Sequence, residues 1–94
     1  GGIPEVRKIA TIADPFHVPI SPHNTKGPVG IIAAAHLMAS IPNVAPMEFV
    51  TGIDWRDDII TEPLKVEDSC IVLPAGPGFG IELDMDALRR FEQD

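Results

Sequence analysis

The chain has 94 residues, 45% of them hydrophobic, and a formal net charge of −7. A chain of this length forms one domain, and its acidic balance, without a cluster of lysine or arginine, excludes nucleic acid and anionic membrane surfaces as partners. Its longest apolar run, residues 29–41, would extend about 20 Å as a helix, which is too short to cross a hydrocarbon core of about 30 Å.

The first predicted element is a helix over Ile3–Asp14. Pro4 suits the first helical turn, where a missing N–H costs no hydrogen bond, and apolar residues that include Ile9 recur at helical spacing, which indicates a core-facing stripe. A short strand is predicted over His17–Ser21. A loop over residues 22–27 then leads to the next helix.

A second helix and a second strand follow this loop. The helix is predicted over Pro28–Ile41 and the strand over Val44–Phe49, with Pro42 between them as a stop signal. Pro19 and Pro46 each lie inside one of the two predicted strands. Because proline cannot donate to a strand ladder, we expect the strands to be short, or their regular pairing to begin or end at these prolines.

Each predicted strand leads to an ionisable side chain: His23 follows the first strand and Glu48 closes the second. Parallel strands joined by a crossover helix lie about 5 Å apart when they are neighbours. Glu48 lies in an otherwise apolar strand, where an unpaired charge would be costly. We therefore expect both groups to share one pocket at the C-terminal ends of the strands, where α/β folds gather their chemistry. Asn24, beside His23, either contacts a ligand or shapes the turn.

The segment of residues 51–63 is polar and reads as a loop. Trp55 either covers a binding site from this loop or only anchors the loop itself. Asp57 and Asp58 are expected to be solvated there rather than to hold a metal.

The last third of the chain combines a hairpin, a glycine-rich turn and a short helix. The hairpin is predicted to pair Leu64–Val66 with Ile71–Leu73. Residues 76–80 resemble a nucleotide-binding loop only superficially, because Pro77 removes one N–H donor and no long helix follows. Asp84 is then expected to cap a helix that extends through Phe91.

The cysteine and the remaining histidines carry no predicted chemistry. Cys70 is the single cysteine, so an intrachain disulfide is impossible and a cytoplasmic location is expected. It is interpreted as a small apolar filler in the hairpin. His17 and His36 are expected to be structural or solvated. Because the three histidines lack close metal-ligand spacing, no metal site is predicted within this chain.

The serial order of several short motifs is more specific than any one of them. These motifs lie at residues 1–10, 20–24, 27–29, 41–43, 47–49 and 76–84. In this order the chain resembles the C-terminal segment of an enolase-superfamily enzyme, over nearly its whole length. More narrowly, it is similar to the mandelate racemase branch and its acid-sugar dehydratases, of the galactonate or gluconate dehydratase kind.

The resemblance implies an α/β fold that is the C-terminal part of a modified (β/α)₈ barrel. Residues 1–63 would supply the sixth helix, the seventh strand, the seventh helix and the eighth strand. Residues 64–94 would form a C-terminal tail, with the hairpin and the short helix, that packs back toward a separate lid domain. The chain would then be a fragment whose partners are the remainder of the barrel and the lid, and it would be inactive by itself.

The resemblance also implies roles for individual residues. His23 would be the general acid/base that protonates the departing hydroxyl of an acid sugar, and Glu48 would be the acid that hydrogen-bonds the substrate carboxylate. Asn24 and Trp55 are the candidate substrate contacts. The cofactor would be Mg²⁺, with its ligands outside this chain, and the complete enzyme would be a homo-oligomeric hydro-lyase.

Two alternatives remain open at this point. In a racemase or epimerase of the same branch, His23 would act on the α-proton of the substrate instead of on a leaving hydroxyl. An autonomous, non-catalytic α/β interaction module would carry none of the family's upstream acidic residues. The sequence does not name the sugar acid, because the contacts that select it lie mostly in the lid and on earlier strands.

Overall fold

The computed structural model describes residues 1–25 and 27–92. Lys26, in the predicted loop, and Gln93 and Asp94, at the end of the predicted tail, lie outside the described residues. The helices are α1 (Gly2–Ala13), α2 (Pro28–Met38) and α3 (Met85–Phe91), two 3₁₀ turns cover Asp14–Phe16 and Arg56–Ile59, and the strands are β1 (Val66–Glu67) and β2 (Cys70–Ile71).

Both long helices were predicted, but α2 ends three residues before its predicted end. Its last residue is Met38 rather than Ile41. The amide and the hydroxyl of Ser40 both donate to the carbonyl of Leu37, at 2.9 and 2.7 Å. Because serine side chains compete for nearby backbone groups, this local pairing closes the last turn and the helix does not continue.

The two strands predicted beside α2 are shorter than their predicted bounds, in agreement with the expectation from their prolines. They pair as an isolated parallel bridge between Ile20 and Val44, in which Ile20 donates to the carbonyl of Asn43 at 2.7 Å and accepts from the amide of Ala45 at 2.9 Å. Backbone groups along a strand face a given neighbour every second residue, so Pro22 is the next donor position on this edge, and proline has no N–H. The predicted parallel neighbourhood is confirmed, while the predicted lengths are wrong.

Asn43 joins the first helix to the paired segments. Its Nδ2 donates to the carbonyls of Ala10 in α1 and of Val18, both at 3.0 Å. His17 was predicted to open the strand, but it ends the 3₁₀ turn with φ 54°, in the left-handed region. The extended segment therefore begins after His17, and contacts of Val18 and Ile20 with Asn43 hold it in place.

The buried core is small and centres on α2. Its apolar members are Ala10, Ile31, Ile32, Leu37, Ile60 and Ala87. By contrast, Ile9, placed by its spacing on a core-facing stripe, is 51% exposed, and Ile12 and Phe16 are 68% and 75% exposed. Burying each of these side chains would contribute roughly 1.5–3 kcal/mol. This face of α1 and the following turn is therefore apolar but not packed against any other part of the described chain.

The last third of the chain folds largely as predicted. β1 and β2 form the predicted antiparallel hairpin, but its strands are Val66–Glu67 and Cys70–Ile71 rather than Leu64–Val66 and Ile71–Leu73. The turn is tighter than predicted because Asp68 and Ser69 alone make it, with φ of 49° and 62°. An antiparallel bridge joins Ile60 to Leu83. Asp84 Oδ1 then accepts from the first amides of α3, at 3.0 and 2.8 Å, which confirms the predicted cap.

The glycine-rich segment of residues 76–80 and Cys70 differ in how well they match their predictions. Gly78 and Gly80 adopt φ of 62° and 70°, and the amide of Gly80 donates to the carbonyl of Pro77, so residues 76–80 form turns as expected. Cys70 is exposed, which makes its interpretation as an apolar filler wrong. No described helix combines the length and the hydropathy that a membrane-spanning segment needs.

Candidate active site

The structure brings His23 and Glu48 together. The Nε2 atom of His23 lies 3.5 Å from Oε2 of Glu48, and the two side chains are 81% and 41% exposed. This distance is longer than an ordinary hydrogen bond, and the contact is ionic only when the imidazole is protonated. The predicted juxtaposition of the imidazole and the carboxylate is confirmed, and their chemical roles stay predictions.

Two hydrogen bonds continue the strand pairing beyond the point where the backbone ladder stops. The hydroxyl of Ser21 donates to the carbonyl of Pro46 at 2.8 Å, and the amide of Asn24 donates to Oε2 of Glu48 at 2.9 Å. Since Pro22 offers no N–H, these bonds take over the role of the ladder. They hold the two segment ends side by side where His23 and Glu48 project.

The residues beside Glu48 face the other way. Met47 and Phe49 line an apolar cavity that α2 and the hairpin enclose, and Glu48 is not among the described residues around it. Successive side chains of an extended segment alternate between two faces. The alternation therefore places the half-buried side chains of Met47 and Phe49 toward α2 and the hairpin and turns Glu48 toward His23.

Asn24 and Trp55 are placed differently from this pair. Asn24 is 4% exposed, and its Nδ2 lies 3.8 Å from the sulfur of Met47, so the amide shapes the turn after His23. Trp55 is 65% exposed, and no hydrogen bond among the described residues joins its side chain to His23 or Glu48. Substrate contact by either residue stays a prediction.

A second charged cluster lies just beyond Glu48. Arg56 binds the carboxylate of Asp57 through two nitrogens, at 2.7 and 3.2 Å, and donates from Nη1 to the carbonyl of Val50 at 2.9 Å. Its guanidinium lies 4.5 Å from the centre of the Phe49 ring, and Asp57 accepts the amide of Leu64 at 3.2 Å. The cluster joins the two ends of the loop that contains Trp55.

This cluster was not predicted from the sequence. Asp57 was predicted to be solvated, but its side chain is only 17% exposed and that of Arg56 only 13%, while Asp58 is exposed as expected. The hydrogen bond to Asp57 raises the pKa of the Arg56 guanidinium above its ordinary value, although burial opposes this shift. The sequence feature that could have predicted this cluster is the adjacent Arg56 and Asp57, a few residues after the aromatic residue Phe49.

His36 has a structural position, as predicted. Its Nε2 lies 3.1 Å from the carbonyl of Phe79, and the two rings stack with their centres 6.0 Å apart. This contact joins α2 to the glycine-rich turn of the tail, far along the chain from His23. Of the three histidines, only His23 contacts an acidic side chain among the described residues.

The described residues contain no cluster suited to a metal ion. Across residues 1–25 and 27–92, no three His, Cys, Asp or Glu side chains gather closely enough to hold an ion. His23 and Glu48 offer one imidazole and one carboxylate, whereas Mg²⁺ prefers an octahedral shell of oxygens. The pair does not fit Mg²⁺ as a binding site.

Residues 1–87 match the family model described as enolase C-terminal domain-like. A D-xylonate dehydratase of Haloferax volcanii is 36% identical over 89 residues, which cover 94% of this chain and 22% of the relative. A D-galactarolactone cycloisomerase of Agrobacterium fabrum is 37% identical over 100 residues, which cover 97% of this chain and 26% of the relative. The chain thus spans about a quarter of the length of the curated relatives it matches.

A solved structure has the same backbone course. It is that of a candidate L-alanine-DL-glutamate epimerase from Burkholderia xenovorans, bound to magnesium and fumarate. Its TM-score against this chain is 0.86 at 27% sequence identity, and the match covers 95% of this chain and 22% of that one. The similarity therefore includes both the sequence and the arrangement of α1, the paired segments and α2.

Proposed function

The chain belongs to the enolase C-terminal domain-like family, in the mandelate racemase branch of the enolase superfamily, and from this premise we propose that it is part of an acid-sugar dehydratase. Its fold is that of the C-terminal part of a (β/α)₈ barrel: α1 corresponds to the sixth helix and α2 to the seventh. The segments that pair at Ile20 and Val44 correspond to the seventh and eighth strands.

The observation that carries the proposal is the proximity of His23 and Glu48, 3.5 Å apart beyond two neighbouring parallel segments. In barrel enzymes, catalytic residues come from the ends of several strands at this face. An open imidazole can reach a ligand that a buried one cannot, and His23 is 81% exposed. The carboxylate beside it is held by the amide of Asn24.

The proposed reaction removes water from a sugar acid. A base outside this chain takes the proton α to the carboxylate, the bond from the β-carbon to its hydroxyl breaks, and a carbon–carbon double bond forms. His23 gives its proton to the departing hydroxyl, which leaves as water. The enol product then tautomerises to a 2-keto-3-deoxy acid. General acid assistance of this kind contributes roughly 10²–10⁴-fold to a rate.

Glu48 would bind the carboxylate end of the substrate. Its Oε2 accepts the amide of Asn24, so a proton on Oε1 would allow that oxygen to donate to the substrate carboxylate. This hydrogen bond strengthens as negative charge develops during proton removal, which is how positioned donors assist catalysis. We also assign Trp55, exposed on the loop after Glu48, to the substrate side of the full-length protein.

The full-length protein would supply the other parts of the site. Exposed apolar side chains on α1 and the following turn support a covering by the remainder of the barrel, and we propose that residues 64–94 pack toward a lid domain. Any Mg²⁺ would be held by residues outside this chain. By the same reasoning the isolated chain would be inactive. We further propose a cytoplasmic homo-oligomer, the location resting on the single cysteine.

An isomerase is the second candidate, because the cycloisomerase of Agrobacterium fabrum is as similar to this chain as the dehydratase is. In an isomerase or epimerase, His23 would move a proton at the α-carbon and no hydroxyl would leave. An autonomous interaction module is disfavoured by the family membership and by the exposed apolar side chains. A cooperative thermal unfolding transition of the isolated chain as a monomer would favour the interaction module instead.

Product analysis separates these functions. The full-length protein is incubated in D₂O with Mg²⁺ and a panel of five- and six-carbon sugar acids and their lactones, and the products are followed by NMR. The proposal predicts a 2-keto-3-deoxy acid and loss of this product in the His23→Asn variant. An inverted stereocentre without loss of water, or a ring-opened isomer of a lactone, would overturn the dehydratase assignment and favour the isomerase.

A further inference from the structure

The loop after Glu48 is closed at its base by one side chain. Arg56 reaches back to the carbonyl of Val50 at 2.9 Å and lies over the Phe49 ring at 4.5 Å. It also holds Asp57, which accepts the amide of Leu64. Phe49 and Val50 directly follow Glu48 in the chain, so these contacts act on the backbone that carries the carboxylate.

The contacts of Arg56 have a direction that the fold alone does not require. Because Arg56 and Asp57 are neighbours in the chain, their salt bridge alone does not orient the loop. The third hydrogen bond of Arg56 and its contact with the Phe49 ring both go to the strand end that bears Glu48. The guanidinium is a planar fork, which fixes geometry in a way that a lysine ammonium does not. Movement of Val50 is thereby coupled to movement of an ion pair that is largely shielded from solvent.

The other end of the carboxylate is fixed as well. The amide of Asn24 holds Oε2 of Glu48 from the first segment, and on the second segment Arg56 binds the backbone beyond it. One contact therefore sets where the oxygen lies and the other sets where its backbone lies. The Glu48 carboxylate is thereby restrained both through its own oxygen and through its backbone.

We propose that Arg56 is a positioning residue for Glu48: through Phe49 and Val50 it holds the carboxylate beside His23, where both side chains can contact one substrate. This inference rests on the proposed function, since it assumes that Glu48 touches the substrate. Arg56 itself touches neither the substrate nor the reacting atoms. Arg56 affects the reaction only through Glu48. Once Glu48 is replaced, a substitution at Arg56 should therefore no longer change the rate.

A double-mutant cycle tests this coupling in the full-length protein. The wild type, Arg56→Lys, Glu48→Gln and the double variant are assayed for kcat and KM on the substrate identified by product analysis. Arg56→Lys keeps the charge but loses the two-point hydrogen bond, and we expect kcat to fall on the order of 10-fold to 10²-fold, as for a small misplacement of a reacting group. In the Glu48→Gln background the same change should alter kcat by less than about 2-fold.

The controls separate positioning from folding. Arg90→Lys, on the exposed last turn of α3, is the matched substitution and should leave kcat unchanged. Thermal unfolding is measured for every variant. If Arg56→Lys does not fold, Phe49→Leu removes the ring beneath the guanidinium while sparing the Arg56–Asp57 pair, and it should show the same dependence on Glu48.

Each result has a distinct meaning. An unchanged kcat in Arg56→Lys, or an equal fall with and without Glu48, overturns the positioning role of Arg56 while Glu48→Gln remains impaired. A wild-type kcat in Glu48→Gln overturns the role of Glu48 in the proposed function itself. A fall in kcat that appears only when Glu48 is present supports both.

Discussion

Two acid–base pairs in the described part of this chain, Arg56–Asp57 and His23–Glu48, differ in how they are built. Arg56 and Asp57 meet at 2.7 Å with side chains only 13% and 17% exposed, and both make further hydrogen bonds to the backbone. His23 and Glu48 meet at 3.5 Å with side chains 81% and 41% exposed. The first pair, called the closed pair below, is largely shielded from solvent, and the second, the open pair, is exposed to it.

The difference indicates what each pair is for. A buried charge must be paired and hydrogen-bonded, so the contacts of Arg56 hold the loop to the strand end and to Leu64. An exposed pair contributes only about 0–1 kcal/mol to stability. Stability therefore does not account for the proximity of His23 and Glu48, whereas the proposed reaction with a ligand would account for it.

The largest expected effect is on the open pair. Replacing His23 by asparagine in the full-length protein should lower kcat by roughly 10²–10⁴-fold, because the general acid is lost, and should leave the unfolding temperature nearly unchanged. Steady-state kinetics and a thermal melt check both parts. His17→Asn, an exposed histidine outside the pair, is the matched control. A variant that loses stability but keeps its rate would reverse the comparison.

The closed pair should show the opposite behaviour. Arg56→Met leaves the largely shielded Asp57 carboxylate with the amide of Leu64 but without its ionic partner, and we expect the free energy of unfolding to fall by about 2 kcal/mol. Denaturant unfolding of the full-length protein measures this value. Lys8→Met breaks the exposed pair with Glu5, whose side chains are 72% and 54% exposed, and should cost less than about 1 kcal/mol. Equal losses in the two variants would contradict the structural role of Arg56.

The smallest effect is expected at the hydroxyl that bridges the two segments. Ser21→Ala removes the bond to the carbonyl of Pro46 and should cost about 1 kcal/mol of stability, with a several-fold loss of kcat as His23 drifts from Glu48. Ser40→Ala removes another hydroxyl-to-carbonyl bond, at the end of α2, and should change stability without a comparable loss of rate. If both variants lose rate equally, the bridge has no special connection to the open pair.

The open pair was accessible to sequence reasoning and the closed one was not. The proximity of His23 and Glu48 follows from the order strand, helix, strand, because parallel neighbours end at the same edge of a sheet. The cap at Asp84 followed equally from local pattern. Asp57, in contrast, is buried by contacts with residues that only the folded loop brings near, so its own surroundings in the sequence suggested solvent.

The strand lengths show a related limit. Pro19 and Pro46 were recognised as obstacles, but the donor missing from the ladder between the two segments is that of Pro22, and this depends on which backbone groups face the neighbour. Ile20 provides both bonds of the bridge, a register that no local pattern reveals. The hydroxyl of Ser21 supplies a hydrogen bond in place of the N–H that Pro22 lacks. A side chain that replaces a backbone donor in this way can be recognised only from the folded structure.

A crystal structure of the full-length protein with a sugar acid bound would test the central claim most directly, through two distances. The account predicts the substrate carboxylate within about 3 Å of Glu48 and the β-hydroxyl within about 3 Å of His23 Nε2, with both side chains on one ligand. A ligand bound away from this pair, or His23 and Glu48 separated by other backbone, would contradict it.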